Sequence, residues 1–169
     1  MGIHLIDLLV GLFGAVEEVY CQSLHRAVGY EGDDTTAILL GMQNGMSAYL
    51  GTMLATAVGF RFQVFGSGGW VEIRNPELED LEYVPNPAKA MSGQLKRVEA
   101  EVMRLEPLDT VRAELEAFAA AADGGPAFAV PHGQILQGMA ALEAIVESAR
   151  TGKAVAGPKV RGLPQGALP

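Results

Sequence analysis

The stretch Thr35–Arg74, TTAILLGMQNGMSAYLGTMLATAVGFRFQVFGSGGWVEIR, is rich in β-branched, aromatic and glycine residues and predicts a group of adjacent strands. The predicted strands are Thr35–Met42, Met46–Val58, Phe60–Phe65 and Trp70–Arg74. Asn44-Gly45 predicts a tight hairpin between the first two, because this dipeptide readily adopts the positive φ that such a turn requires. The short connections indicate antiparallel neighbours, since parallel strands need a longer crossover.

The segment Met46–Val58 has no charged residue in either of its two alternating sets of side chains. A sheet face exposed to water carries polar residues at every second position. We therefore expect helices to cover one face of the sheet, and a second copy or a second domain to cover at least part of the other. The alternative is a small two-layer sandwich within one chain.

The composition is that of a globular domain. The chain has 169 residues, 49% hydrophobic and 19% charged, which is enough for one core. Its net charge of −8 argues against non-specific nucleic-acid binding, because attraction to phosphates requires a basic surface. The single cysteine, Cys21, excludes an internal disulfide and a cysteine-based zinc site, and it favours a cytoplasmic location. No apolar run reaches the roughly 18 residues of a membrane span.

Helical periodicity marks three segments outside the central stretch. The first is Gly2–Phe13, in which His4 and Asp7 lie opposite the apolar stripe. The other two are 108–122, opened by Pro107, and 132–150. The side chains predicted to be buried are Leu5, Leu8, Leu9, Leu12 and Phe13 in the first helix, Leu108, Val111, Leu115, Phe118, Ala119 and Ala122 in the second, and Ile135, Leu136, Met139, Leu142, Ile145, Val146 and Ala149 in the third.

Two further strands are predicted at 15–26 and 97–105, the second of them in the same sheet as the central strands. Residues 75–96 are a long acidic connection, with a short edge strand predicted at Leu81–Val84, and residues 156–169 are a Gly/Pro-rich tail. Strands cluster in the middle and helices lie at the ends, which predicts an α+β fold. Its sheet should be open and mostly antiparallel, with helices on one face and the other face available for oligomerisation.

Few residues are candidates for chemistry. No glycine-rich loop follows a strand and opens a helix, so the sequence has neither a dinucleotide-binding fingerprint nor a P-loop. Gly66–Gly69 joins two predicted strands and is interpreted as a hairpin turn. The histidines His4, His25 and His132 are not spaced as metal ligands. His4 lies one helical turn from Asp7, a pair that suits either a surface ion pair or a proton donor.

Several short segments resemble the Gfo/Idh/MocA oxidoreductases, the family of glucose–fructose oxidoreductase and inositol dehydrogenase. The resemblance covers residues 2–155, with its pieces in the family's order. They are Gly2–Leu9, similar to G-x-H-x-x-D-x-x, then Asp34, Asn44-Gly45, Val64–Gly69 with Glu72, Glu116-Ala117-Phe118 with Asp123-Gly124, Glu143-Ala144-Ile145, Ser148 and Thr151-Gly152-Lys153. Only the family's C-terminal domain is represented.

The resemblance implies a function. The family joins an N-terminal Rossmann domain that binds NAD or NADP to a C-terminal domain that contributes to the substrate pocket and the oligomer interface. By this resemblance, residues 1–155 are a substrate and oligomerisation domain and 156–169 a tail. His4 matches the family's acid/base histidine, with Asp7 orienting the start of the helix. The usual aspartate four residues before the histidine would precede Met1.

By the same resemblance, we expect the full-length protein to be an oxidoreductase acting on a sugar, cyclitol or related hydroxy/oxo compound. This chain should hold no cofactor and should not be a competent dehydrogenase by itself, because the nicotinamide carries the hydride chemistry. We expect a homodimer formed through the sheet face, with neither nucleic acid nor membrane as a partner. The alternative is a non-catalytic dimeric scaffold or small-molecule-binding domain.

Overall fold

The computed structural model describes residues 2–75, 77–86 and 98–157. Its elements, in chain order, are α1 Gly2–Phe13, β1 Val16–Leu24, β2 Thr35–Met42, β3 Ser47–Met53, β4 Phe62–Gly66, β5 Gly69–Ile73, β6 Asp80–Pro85, β7 Glu101–Arg104, α2 Thr110–Ala122, α3 His132–Thr151 and β8 Val155–Ala156. All strand pairs are antiparallel, which confirms the α+β class. The predicted tail lies outside the described residues from 158 onward.

The strands form two sheets of four, in the orders β3-β2-β1-β8 and β4-β5-β6-β7. The chain correspondingly divides into a unit 1, made of the residues up to Thr56 and from Gly124, and a unit 2, Ala57–Asp123. The prediction of one sheet through Arg74 is wrong in this respect. Strand β3 ends at Met53, five residues before the predicted end, and β4 begins only at Phe62. The two strands belong to different sheets.

The Asn44-Gly45 hairpin is confirmed. Gly45 has φ 83°, and the amide of Met46 donates to the side-chain oxygen of Asn44 at 3.0 Å. The turn sets the register of β2 and β3, in which Leu39 lies opposite Tyr49 and Ile38 opposite Leu50. Because side chains alternate, one face of this sheet takes Ile38 and Leu50 and the other takes Leu39 and Tyr49.

Helices α1 and α3 cover one face of the unit 1 sheet, and the core of the unit lies between these layers. Its buried apolar side chains are Ile6, Leu9 and Val10 from α1, Val16, Val19, Cys21, Ile38, Leu40, Met42 and Leu50 from the strands, and Ala141, Ala144 and Ile145 from α3. Helix α1 has the predicted bounds, but of its predicted stripe only Leu9 is buried. The contact face is turned toward Ile6 and Val10.

Helix α3 buries small residues and not the predicted bulky ones. Gly138, Ala141, Ala144 and Ser148 face the interior, whereas Ile135, Leu136, Met139 and Val146 are exposed. Of the predicted stripe only Ile145 is fully buried. Small side chains let the helix lie close to β1, and this close packing decides which of two apolar faces turns inward.

Helix α2 begins at Thr110, two residues after the predicted start. The carboxylate of Asp109 caps it by accepting the amide of Arg112 at 3.0 Å. Its predicted apolar stripe is exposed: Leu108, Val111, Leu115 and Phe118 are 61–70% accessible, and no residue of the helix is buried. The prediction of a buried face on α2 is therefore wrong for the single chain.

The sheet of unit 2 contains the second predicted hairpin. Gly66 pairs with Gly69 across a two-residue turn, as the sequence predicted. Gly69 has φ 144°, and a Cβ there would lie 2.2 Å from the main-chain oxygen of Val84, so only glycine fits. Strand β7, predicted over 97–105 in the same sheet as the central strands, spans Glu101–Arg104 and pairs with β6 in this second sheet.

In the described part of the chain, none of the helices combines the length and the apolar character needed to span a bilayer.

Candidate functional site on helix α1

His4 lies on the first turn of α1 and is exposed. Among the described residues no hydrogen bond or ion pair engages its imidazole. The start of the helix lies over β3, since a Cβ on Gly2 would be 3.8 Å from the Thr52 methyl group. The imidazole is therefore accessible on a turn that is fixed against the sheet.

Asp7, one turn further along α1, is half-buried and turned toward α3. Its Oδ1 accepts a hydrogen bond from Gln134 Nε2 at 3.2 Å, and its main-chain oxygen lies 3.5 Å from the same nitrogen. No hydrogen bond between His4 and Asp7 occurs in the described structure. The carboxylate thus links two helices and does not bind the imidazole.

Gly11 makes room for the contact between α1 and α3, and Gly138 lies beside it. A Cβ on Gly11 would lie 2.7 Å from Gln134 Nε2, and one on Gly138 would lie 3.9 Å from Asp7 Oδ1. Gln134 was not predicted as a functional residue. The sequence indicates this contact only indirectly, through Gly11. A glycine within a helix is unfavourable by about 1 kcal/mol relative to alanine, and it often marks a close approach of another element.

Asp34, predicted from the family motif, organises the loop between β1 and β2. It is 3% exposed. Its Oδ2 accepts the amides of Arg26, Ala27 and Val28 at 2.6–3.0 Å, and its Oδ1 accepts the Thr35 hydroxyl at 2.7 Å. These hydrogen bonds, the backbone ones first, hold the pKa of the Asp34 carboxyl well below its ordinary value. The role of Asp34 in this structure is to fix the loop.

Ser148 connects α3 to the sheet. Its hydroxyl accepts the Cys21 amide at 2.8 Å and donates to the main-chain oxygen of Lys153 at 2.6 Å. Strand β8 pairs with β1 only at Glu18 and Val19, so the hydroxyl takes the place of a strand partner at Cys21. Burial, followed by the charge of Asp33, raises the pKa of the Cys21 thiol.

In unit 2, Glu72 is buried between two arginines that remain more than half exposed. Arg61 Nε lies 2.7 Å from its Oε1, and Arg74 Nε lies 2.7 Å from its Oε2. The hydrogen bond that Arg74 donates to Glu72 raises the pKa of Arg74, and the negative charge of Glu72 raises it further. All donors and acceptors of this cluster belong to unit 2, so these ion pairs stabilise that unit.

The other two histidines are positioned by loops. His25 Nδ1 lies 2.6 Å from the main-chain oxygen of Gly32, and His132 is the exposed first residue of α3. Among the described residues, no group of three or more histidine, cysteine, aspartate or glutamate side chains is placed to hold a metal ion.

Residues 1–72 match the model of the GFO/IDH/MocA C-terminal domain, which confirms the resemblance seen in the sequence motifs. Comparison with curated proteins gives no significant match.

Solved structures share the fold over most of this chain. Levoglucosan dehydrogenase, in complex with NADH and levoglucosan, is 18% identical over 95% of this chain with a TM-score of 0.75. An oxidoreductase from Agrobacterium radiobacter, in complex with NAD+, L-tartaric acid and magnesium, is 21% identical over 92% with a TM-score of 0.72. The WlbA dehydrogenase from Bordetella pertussis, in complex with NADH and UDP-GlcNAcA, is 21% identical over 93% with a TM-score of 0.68. The match spans 50%, 47% and 46% of those chains, so this chain corresponds to about half their length.

Proposed function

We propose that this chain is the substrate-binding and dimerisation half of an NAD(P)-dependent oxidoreductase acting on a sugar, cyclitol or related hydroxy/oxo compound. The observation that carries the proposal is the match of residues 1–72 to a C-terminal domain of that family, together with a fold shared over nine-tenths of the chain. Residues 1–155 would be this domain and 156–169 its tail. A cytoplasmic location, expected from the single cysteine, is part of the proposal.

His4 is the residue proposed to handle the substrate proton. It is exposed on a fixed turn, and an imidazole without an internal partner can bond a substrate hydroxyl. Asp7 supports the same helix by bonding to Gln134 and does not itself face solvent fully. In this arrangement His4 is the catalytic residue and Asp7 positions the helix that bears it.

The residues described here do not fit a dinucleotide. The glycine-rich segment Gly66–Gly69 turns between two antiparallel strands and opens no helix. The Gly68 carbonyl accepts the Tyr83 hydroxyl at 3.1 Å and the Asn86 main-chain N–H at 2.8 Å, which holds this turn against β6. We therefore assign cofactor binding to a part of the enzyme outside these residues, and we derive no step of the reaction through it.

A fluorescence titration tests this assignment. We expect the 169-residue chain to leave NADH fluorescence unchanged, because no phosphate-binding loop is available among the described residues. Levoglucosan dehydrogenase, whose structure contains NADH, is the positive control. Micromolar NADH binding by the chain would contradict the proposal that another part of the enzyme binds the cofactor.

The open face of the unit 1 sheet is the proposed dimer contact. Tyr20, Leu39 and Tyr49 lie in register across β1, β2 and β3, and Met53 lies near the end of β3. These four side chains are 42–66% exposed, and β2 and β3 contain no charged residue. The exposed apolar side chains of β2 and β3 on this face are bordered by Glu18 and Gln22 of β1. Exposed apolar patches are uncommon on monomers and favour a protein contact. We propose that a second copy covers it.

A substitution at the centre of this face tests the dimer. We expect the wild-type chain to be a dimer by light scattering at tens of micromolar, and Tyr49→Asp to be a monomer, because an unpaired carboxylate is costly to bury. Val146→Asp is the matched control, since Val146 is as exposed as Tyr49 but lies on α3. A wild-type monomer, or dissociation by Val146→Asp in place of Tyr49→Asp, would contradict this interface.

The alternative function is a non-catalytic dimeric scaffold or small-molecule-binding domain, which the same exposed face would also serve. The coding sequence upstream of Met1 separates the two. An in-frame Rossmann segment with an acidic residue four positions before His4 supports the oxidoreductase, whereas stop codons and a promoter support the scaffold.

A further inference from the structure

The contact between α1 and α3 places His4 and Asp7 in different environments. Gly11 and Asp7 of α1 both lie at Gln134, and Asp7 also lies at Gly138, one turn further along α3. The two helices are therefore antiparallel here. His4 follows one turn beyond Asp7, on the side of α1 that leads away from Gln134.

We propose that Gln134 is a positioning residue that keeps the Asp7 carboxylate on α3 and so leaves the imidazole of His4 free for substrate. The inference rests on the proposed role of His4. Residues three apart on a helix are neighbours, so Asp7 is within reach of pairing with His4 in the absence of another partner. The bond from Gln134 competes for the same carboxylate.

We expect the Asp7 carboxylate to bond to Gln134 in preference to His4. An exposed ion pair between helix neighbours is weak, since it is worth only a few tenths of a kcal/mol. The bond from the Gln134 amide to an ionised carboxylate is charge-assisted, and both side chains are half-buried, which shields it from water. The same amide nitrogen also lies near the main-chain oxygen of Asp7, which keeps it in place even when the carboxylate rotates.

The space beside Gly11 accommodates the side chain of Gln134. Gly11 leaves the space that the Gln134 amide fills, since a Cβ at 2.7 Å from Nε2 would displace it. An Asp7 carboxylate released from Gln134 could pair with the His4 ring and favour its protonated form, which cannot accept the proton of a substrate hydroxyl.

The test is the rate at which diethylpyrocarbonate acylates each histidine at pH 7, read from peptide masses. Acylation requires a neutral ring with a free nitrogen, so pairing with a carboxylate slows it. We expect Gln134→Met, which keeps the side-chain length but removes the amide, to slow the reaction at His4 roughly twofold, the effect of an exposed helix pair. His25 and His132 should react as in the wild type, and Gln22→Met should change nothing.

A second substitution separates positioning from packing. Adding Asp7→Asn to Gln134→Met should restore the wild-type rate at His4. An unchanged rate in Gln134→Met would overturn the proposal, as would slowing that persists without the Asp7 carboxylate. If Gln134→Met does not fold, the acylation rate at His4 in the single variant Asp7→Asn provides the test. It should leave the rate at His4 unchanged, and a twofold increase would show that Asp7 already pairs with His4. This readout involves no cofactor, so its failure is distinct from failure of the NADH titration.

Discussion

Replacement of Asp34 by asparagine is expected to lower the melting temperature of the chain by roughly 5–10 °C, the size expected when several charge-assisted hydrogen bonds are lost. Four donors converge on the Asp34 carboxylate, and three of them are successive backbone amides of the loop after β1. Asparagine offers one acceptor oxygen in place of two, and its amide group would direct hydrogens at those donors. The loss is measured by circular dichroism during heating.

The dependence of stability on pH provides a second test of the contribution of the Asp34 carboxylate. The pKa of Asp34 is lower in the folded chain than in the unfolded chain. Its contribution is therefore fully present above the unfolded pKa, about 3.9, and is lost as the pH falls below that value toward the folded pKa. We expect the stability difference between wild type and Asp34→Asn to be largest near neutral pH and to shrink between about pH 4 and pH 2.

Asp33→Asn is the matched control, because Asp33 is the exposed neighbour of Asp34 and has none of the hydrogen bonds described above. It should melt within about 1 °C of the wild type, as surface substitutions generally do. Equal melting temperatures for Asp34→Asn and the wild type would show that the loop does not depend on this carboxylate.

Ser148→Ala is expected to reduce the free energy of unfolding by about 3 kcal/mol, because it leaves the buried Cys21 amide without a partner and also removes the bond to the Lys153 carbonyl. The Cys21 amide and the Lys153 carbonyl both use the Ser148 hydroxyl, which is fully buried. Urea denaturation monitored by circular dichroism gives the value.

Ser23→Ala provides the comparison for Ser148→Ala, since Ser23 lies on the same strand as Cys21, is half-buried and bridges no such pair. Its loss should stay below about 1 kcal/mol. If the two alanine variants were equally stable, the hydroxyl of Ser148 would not be a structural link between α3 and β1.

The local elements of the fold could be predicted from sequence because their signals are local. Asn44-Gly45 fixes a hairpin by its own backbone preference, and Gly152 ends α3 with φ 65°. The division into two sheets has no such signal. It depends on where β3 stops, and the apolar run through Leu54 and Val58 continues the pattern of a strand although both side chains are exposed.

The inward faces of the helices were less predictable. Helix α3 has two faces that a hydrophobic pattern allows, one bulky around Met139 and one small around Ala141. Periodicity gives more weight to the bulky side chains, whereas close contact with β1 requires the small ones. His4 was identified from a motif, but Gln134, 130 residues away, can be connected to Asp7 only through the tertiary contact.

The pairing of β8 with β1 has a consequence for synthesis of the protein on the ribosome. Cys21 and Ser148, whose bond secures that edge, are 127 residues apart. At about 5–20 residues per second, the outer edge of β1 waits on the order of ten seconds for its partner to emerge. Throughout that interval a nascent chain presents the main-chain donors and acceptors of this β1 edge to any neighbouring polypeptide, whereas in the folded unit β8 and the Ser148 hydroxyl engage part of that edge.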